Sequence, residues 1–199
     1  MRLRPPSLVI LAALQATPLI AAQQPPAGQD TFGRAGEAEL DSLYGPLLYL
    51  MTEAERGIYP GLSTEERREF LRAFWRRRDP TPRKRRNEAL EDFYARVRYA
   101  NGQFREGGAA EIPGWRTDRG RIYLRHGPPE AILSRPHPAS TNPYEAWKYP
   151  GDPPRLYVFF DVTRFGNYVL LWTNDRGEPS RPDWKRLLGP EALDDIARF

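Results

Sequence analysis

The sequence predicts an α+β fold, with N-terminal helices packed on a C-terminal antiparallel β-sheet. Three observations lead there. Between residues 63 and 104, apolar side chains recur at steps of three and four, the helical period. After residue 131, short apolar runs are separated by Pro-, Gly- and Asn-rich turns at close spacing. The joint between the halves, residues 113–129, gathers a Trp, several glycines, a Thr-Asp pair and flanking prolines. Helices first and strands second place the helices on one face of an antiparallel sheet.

Taken in order, the chain opens with Met1-Arg2-Leu3-Arg4, a basic segment, followed by a short apolar core over residues 7–16. Pro18 breaks that core, and Ile20-Ala21-Ala22 supplies small residues for cleavage before Gln23. Residues 1–22 therefore read as a secretory signal peptide, too short for a membrane span. Export to the periplasm or the exterior is expected, with no transmembrane segment in the mature chain. The absence of cysteine excludes disulfides, thiol-linked lipid anchors, thiol catalysis and cysteine-ligated metals. Residues 23–36 are rich in Gln, Pro, Gly and Ala and read as a disordered leader. Residues 37–199 form the domain.

Within the domain, residues 37–44 suggest a short helix, and Pro46-Leu47-Leu48-Tyr49-Leu50-Met51 should enter the core. Thr52 with Glu55, and Ser63 with Glu66, have the spacing of capping boxes. The second opens a helix to about Arg78 whose stripe is Phe70, Leu71, Phe74 and Trp75. A longer helix runs from Asn87 to about Phe104 on Leu90, Phe93, Tyr94, Val97 and Ala100, ending at Gly107-Gly108. In the joint, Thr117-Asp118-Arg119-Gly120 reads as a tight turn. It feeds a strand, Arg121-Ile122-Tyr123-Leu124-Arg125, where Ile122 and Leu124 face one way. Further strands are expected over 131–134, 144–149, 156–162 and 168–173, with a hairpin turn at Arg164-Phe165-Gly166-Asn167. Residues 190–199 suggest a closing helix.

Charge is balanced overall and uneven locally. Lysines and arginines total 30 against 26 acidic residues, and two of the cations, Arg2 and Arg4, belong to the expected signal peptide. Residues 67–86 carry ten Arg or Lys against Glu69 and Asp79. Arginine suits bidentate pairing with carboxylate or phosphate. Export makes nucleic acid an unexpected partner for this run, which leaves an anionic envelope component or a solvated helix face.

For catalysis the chain offers few groups. Its two histidines, His126 and His137, are too few for a histidine-rich metal site. The acidic candidates are Glu111, Asp118, Glu130 and Asp161, and nothing in their spacing makes two of them converge. No phosphate-cradling glycine loop is present, so no cofactor and no metal is expected.

Gly114-Trp115-Arg116-Thr117-Asp118 resembles the signature of the bacterial GWxTD domain family. Phe74-Trp75-Arg76-Arg77-Arg78-Asp79-Pro80-Thr81-Pro82 and Tyr99-Ala100-Asn101 are similar to that family's helical half. The resemblance spans about residues 43–160. Tyr is frequent in that family at the position of His126, which argues against proton transfer there. The leading expectation is an exported, non-catalytic interaction or scaffold module of the cell envelope, with an envelope protein or anionic envelope component as partner. Its binding surface would comprise Trp115, Arg116, Thr117, Asp118, Arg119 and Arg121, with Arg77, Arg78 and Asp79. Two alternatives stand beside it. One is an envelope hydrolase using Asp118 as acid or base, and the other binds an anionic polymer through the arginine-rich face. Trp115 is expected to pack near Phe93 or Val97, and Asp118 to accept N–H bonds within its own turn.

Overall fold

The computed structural model describes residues 32–107 and 111–199. The signal peptide, the first part of the leader and Gly108 lie outside the described residues. The leader's last residues do not: Phe32 and Ala35 are buried in the core, and the Ala35 carbonyl accepts from Arg68. The folded unit thus begins before residue 37.

The helical half is built from the expected signals. Helix α1 (Glu37–Leu47) is followed by α2 (Glu53–Ile58), which the Thr52–Glu55 capping box opens. The Ser63–Glu66 box opens α3 (Thr64–Arg77), and the Asn87 side chain caps α4 (Glu88–Gln103) by accepting from Leu90 N–H. Trp75 of α3 packs on Phe93 and Tyr94 of α4. The Asn87 amide also ties α4 to α3 by donating to the Trp75 carbonyl at 2.8 Å.

The joint differs from its sequence reading. Residues 118–126 are a helix, α5 (Asp118–His126), preceded by a 3₁₀ turn at Gly114–Arg116. Thr117 is the N-cap of α5: its hydroxyl accepts from Gly120 N–H at 3.1 Å and donates to the Gly114 carbonyl at 2.8 Å. Arg125 occupies the last turn, where a cation suits the helix dipole, and Gly127 with φ +79° ends it. The alternation of Ile122 and Leu124 misled because α5 is enclosed on several sides, by α4, the 3₁₀ turn and the sheet. Both residues are fully buried, and burial on opposite helix faces imitates a strand's period.

Close packing makes the joint possible. A Cβ on Gly114 would lie 1.8 Å from the Ala100 carbonyl oxygen of α4. A Cβ on Gly120 would lie 1.8 Å from the Gly114 carbonyl oxygen. Trp115 covers the end of α1 rather than the middle of α4. Its ring edge sits against Gly45 and meets Tyr49 edge-on at 6.1 Å, while the Trp115 main-chain N–H donates to the Asn101 side-chain oxygen.

The strands are β1 (Ala131–Arg135), β2 (Tyr144–Tyr149), β3 (Arg155–Asp161) and β4 (Tyr168–Thr173). They form an antiparallel meander in the order β1-β2-β3-β4, with a bulge where β3 meets β4. One face carries Trp147, Tyr149, Tyr157, Phe159 and Leu170 into the main core beneath the helices. The other carries Ala146, Val158, Phe160 and Leu171 against α6 (Trp184–Arg198). The helices are therefore on both faces, not one. Helix α6 is two helical pieces joined at a kink, Gly189 having φ +76°; the second runs from Pro190, as the sequence suggests, and a short first piece from Trp184 precedes it.

The glycines should separate by substitution. Gly114→Ala and Gly120→Ala must displace backbone, and each should lose about 3 kcal/mol or more. Gly102 in α4 has no atom within 4 Å of a Cβ, so Gly102→Ala should gain up to about 1 kcal/mol from helix propensity. Urea unfolding of the three variants checks both signs.

Candidate functional site

The motif reaches the fourth strand through Asp118. Among the described residues no strand lies beyond β4, yet its outer edge is closed. Asp118 Oδ2 accepts the Leu170 N–H at 2.7 Å, and Glu106 Oε1 accepts the Tyr168 N–H at 2.9 Å. Past the bulge, the Ser180 hydroxyl meets the Thr173 N–H and carbonyl, and the Arg181 N–H donates to the Leu171 carbonyl. Side chains thus do the work of a neighbouring strand, since unpaired edge groups are sticky and, once buried, costly.

Both oxygens of Asp118 accept a bond. Its other oxygen accepts from Arg121 at 3.1 Å, and Arg121 and Arg125 both pair with Glu178, whose side chain is almost wholly buried. The acceptor role expected for Asp118 holds, but its N–H partner lies on a distant strand, not in its own turn. Arg119 is a buried guanidinium, its side chain 9% exposed, lying 3.9 Å over the Tyr168 ring. Arg116 is exposed beside Trp115.

Arg77, Arg78 and Asp79 are elsewhere. Arg77 and Arg78 pair with Glu55 of α2, and Arg78 stacks on Phe74 at 3.6 Å. Burial would raise the Glu55 carboxyl, but Arg78, the Thr52 N–H and Arg77 outweigh it and hold it at about 2. Asp79 accepts from Thr81 N–H in its own turn. Among the described residues these three share no hydrogen bond or ion pair with the motif. Most of the arginine run is similarly spent. Arg67 pairs with Glu37 and Asp41, Arg68 and Arg72 with Glu65, Lys84 with Glu88, and Arg86 with Glu91. Arg76, Arg83 and Arg85 have no carboxylate partner among the described residues.

The other acidic candidates do not meet Asp118. Asp161 organises the β3–β4 turn. Burial disfavours its charge, yet the Gly166 and Thr163 N–H groups and the Thr163 hydroxyl hold its carboxyl below the usual range. Glu111 pairs with Arg105, and Glu130 and His137 are exposed.

A cleft of about 370 Å³ opens where the helical layer stops short of β1. Ile132 of β1 and Glu145 and Trp147 of β2 line its sheet side, and Pro128 and Pro129 its rim. Tyr99, Gln103, Phe104, Arg119 and Tyr123 line its helical side. Tyr99 and Tyr123 stack at 4.8 Å, and Phe104 bridges Tyr123 to Trp147. Glu145 is held by Trp147 Nε1 at 3.0 Å and Arg119 Nη1 at 3.4 Å. Sequence reasoning missed this cleft, apart from Arg119, because its residues come from separate segments. The exposed Tyr99 within an otherwise regular helical stripe was the available signal.

His126 ends α5 in a second polar cluster. Tyr157 donates to Asp175 at 2.6 Å, so the His126 Nε2, 3.1 Å from the same hydroxyl, must be the donor to it. Its Nδ1 then accepts from Arg155 at 3.3 Å, which assigns a neutral ring. Burial first, then the charges of Arg155 and Arg125, lower its pKa from 6.5 to about 4.

Two outcomes follow for these groups. Asp118→Ala leaves the Leu170 N–H unpaired and should cost about 1–3 kcal/mol, with Asp118→Asn costing less because the amide oxygen still accepts. Denaturant melts of the two variants measure that order. For His126, the folded state binds fewer protons than the unfolded chain between pH 6.5 and about 4. Its contribution is complete above pH 6.5 and declines as pH falls toward 4. His126→Gln should flatten that decline in urea titrations at stepped pH; unchanged slopes would contradict the assignment.

The comparisons complete the placement. No curated protein and no solved structure matches the chain. The family model for the GWxTD domain matches residues 29–175, which include the capped joint, the cleft and all of the sheet. The chain belongs to the GWxTD domain family.

Proposed function

We propose that this protein is a non-catalytic interaction module exported to the bacterial cell envelope. The observation that carries the reading is the aromatic cleft beside β1. It is open, it adjoins the edge of β1, which no further strand covers among the described residues, and it includes exposed Ile132 and Tyr99. A partner segment laid there gains apolar contact and main-chain pairing together. Export rests on the apolar leader and its small-residue cleavage site.

The hydrolase alternative is less well supported. Each Asp118 oxygen already accepts a bond, from the Leu170 N–H or from Arg121, and none of the other acidic candidates lies beside it to complete a carboxylate pair. The anionic-polymer alternative rests on Arg76, Arg83 and Arg85 alone among the run's cations.

Photo-crosslinking in cells tests the reading. A crosslinking residue at Ile132 or Tyr99 should trap one discrete partner, and the same residue at exposed Ile58 or Phe165 should not. Loss of cellular phenotype in Asp118→Asn, with unchanged melting and no site-specific adduct, would favour an enzyme instead.

A further inference from the structure

We infer that the face carrying the motif's Trp115, Arg116 and Asp118 docks an acidic peptide segment of a partner protein. It is a second surface beside the cleft, and it does not depend on the cleft's occupant. Asp118, Arg121 and Arg125 are spaced by three and four along α5, so they share one side of that helix. Arg119 and Tyr123, which line the cleft, lie on the adjoining side. Just before α5, the exposed Arg116 guanidinium lies 5.4 Å from the Trp115 ring centre, and Trp115 in turn meets Tyr49.

Charge sets the sign of the partner. Glu178 serves both Arg121 and Arg125, while Asp118 pairs with Arg121 alone. Arg116 has no carboxylate partner among the described residues. Two carboxylates thus meet three guanidinium groups, and one positive charge is left in excess. The half-buried Tyr49 hydroxyl belongs to the same group. Burial raises its pKa, Arg121, Arg116 and Arg125 pull against that rise, and Asp118 adds to it.

The hydrogen-bond inventory leans the same way. Arg121 spends both terminal nitrogens, on Glu178 and Asp118, and Arg125 spends one on Glu178. Arg125 Nη2 and Nε, and every guanidinium N–H of Arg116, have no partner among the described residues. A guanidinium donates and never accepts, so these groups call for acceptor oxygens. Its planar fork matches a carboxylate. Spacing favours a peptide over one small anion. The helix rises about 10 Å from Asp118 to Arg125. With Arg125 held on Glu178 and Arg116 beside Trp115, a single anionic group does not serve both. An extended segment sets same-side residues about 7 Å apart, so glutamates at alternate positions reach along the face. The Trp115 and Tyr49 rings then offer apolar contact beside Arg116.

Fluorescence anisotropy tests this on the mature full chain, with a labelled, end-blocked peptide that alternates glutamate and threonine. Saturable one-to-one binding is expected, weakening as salt rises. The same peptide with glutamine for glutamate should not bind. Arg116→Gln and Arg125→Gln should each weaken binding about fivefold. Arg116 is exposed, so its variant should keep the wild-type melting curve and decides the matter if Arg125→Gln loosens the fold. Replacing both Arg83 and Arg85 with Gln removes two unpaired cations elsewhere and should leave binding unchanged. An equal loss in that variant would mean that the peptide reads net charge alone. Tighter binding to phosphatidylglycerol vesicles, lost in Arg116→Gln, would assign the face to a membrane surface. Either result, no saturable binding, or indifference to Arg116→Gln overturns the inference. If the peptide fails while the crosslinks at Ile132 and Tyr99 persist, the inference falls and the interaction-module reading stands.

Discussion

Gly114 and Gly120 allow three pieces of backbone to meet at distances that no side chain tolerates. The 3₁₀ turn lies directly on the Ala100 carbonyl of α4, and α5 lies directly on the Gly114 carbonyl. That contact sets where α5 starts, and the Thr117 cap fixes its first turn. Asp118, the first helical residue, is then delivered to the edge of β4. A shift of an ångström in the turn would break the 2.7 Å bond to Leu170. The Gly, Thr and Asp of the motif are thus parts of one fastening between the helical layer and the sheet, and its Trp seals the end of α1.

The sheet's two edges are consequently unlike. The β4 edge is closed by carboxylates, a hydroxyl and one main-chain N–H, all from outside the sheet. The β1 edge has no such cover among the described residues and leads into the aromatic cleft. An uncapped edge is a hazard unless it has a use, and this one is short and flanked by prolines. Closing one edge while leaving the other open fits a domain that engages its partner from the β1 side.

Much of this fold was legible in sequence because its signals are local. Capping pairs three residues apart, at Thr52–Glu55 and Ser63–Glu66, placed two helix starts. Short apolar runs bounded by turn residues placed four strands within a residue or two of their positions. The segment 121–125 failed for a physical reason: five residues span little more than one helical turn, too short for a 3.6-residue period to show against a two-residue alternation. The cap at Thr117 and the terminating Gly127 were the better evidence. Pairing across long separations was invisible. Arg67 with Glu37, Arg78 with Glu55 and Arg121 with Glu178 each neutralise a cation that looked available in the linear chain. The cleft escaped for the same reason, since α4, α5, β1 and β2 each contribute only part of it.

The central claim is that the Asp118 carboxylate serves the β4 edge as a strand would. Amide hydrogen exchange at Leu170 tests it most directly. The account predicts that this N–H exchanges only through global unfolding, as slowly as the ladder-bonded amides inside the sheet. Fast exchange at Leu170 in a chain that is otherwise folded would contradict it.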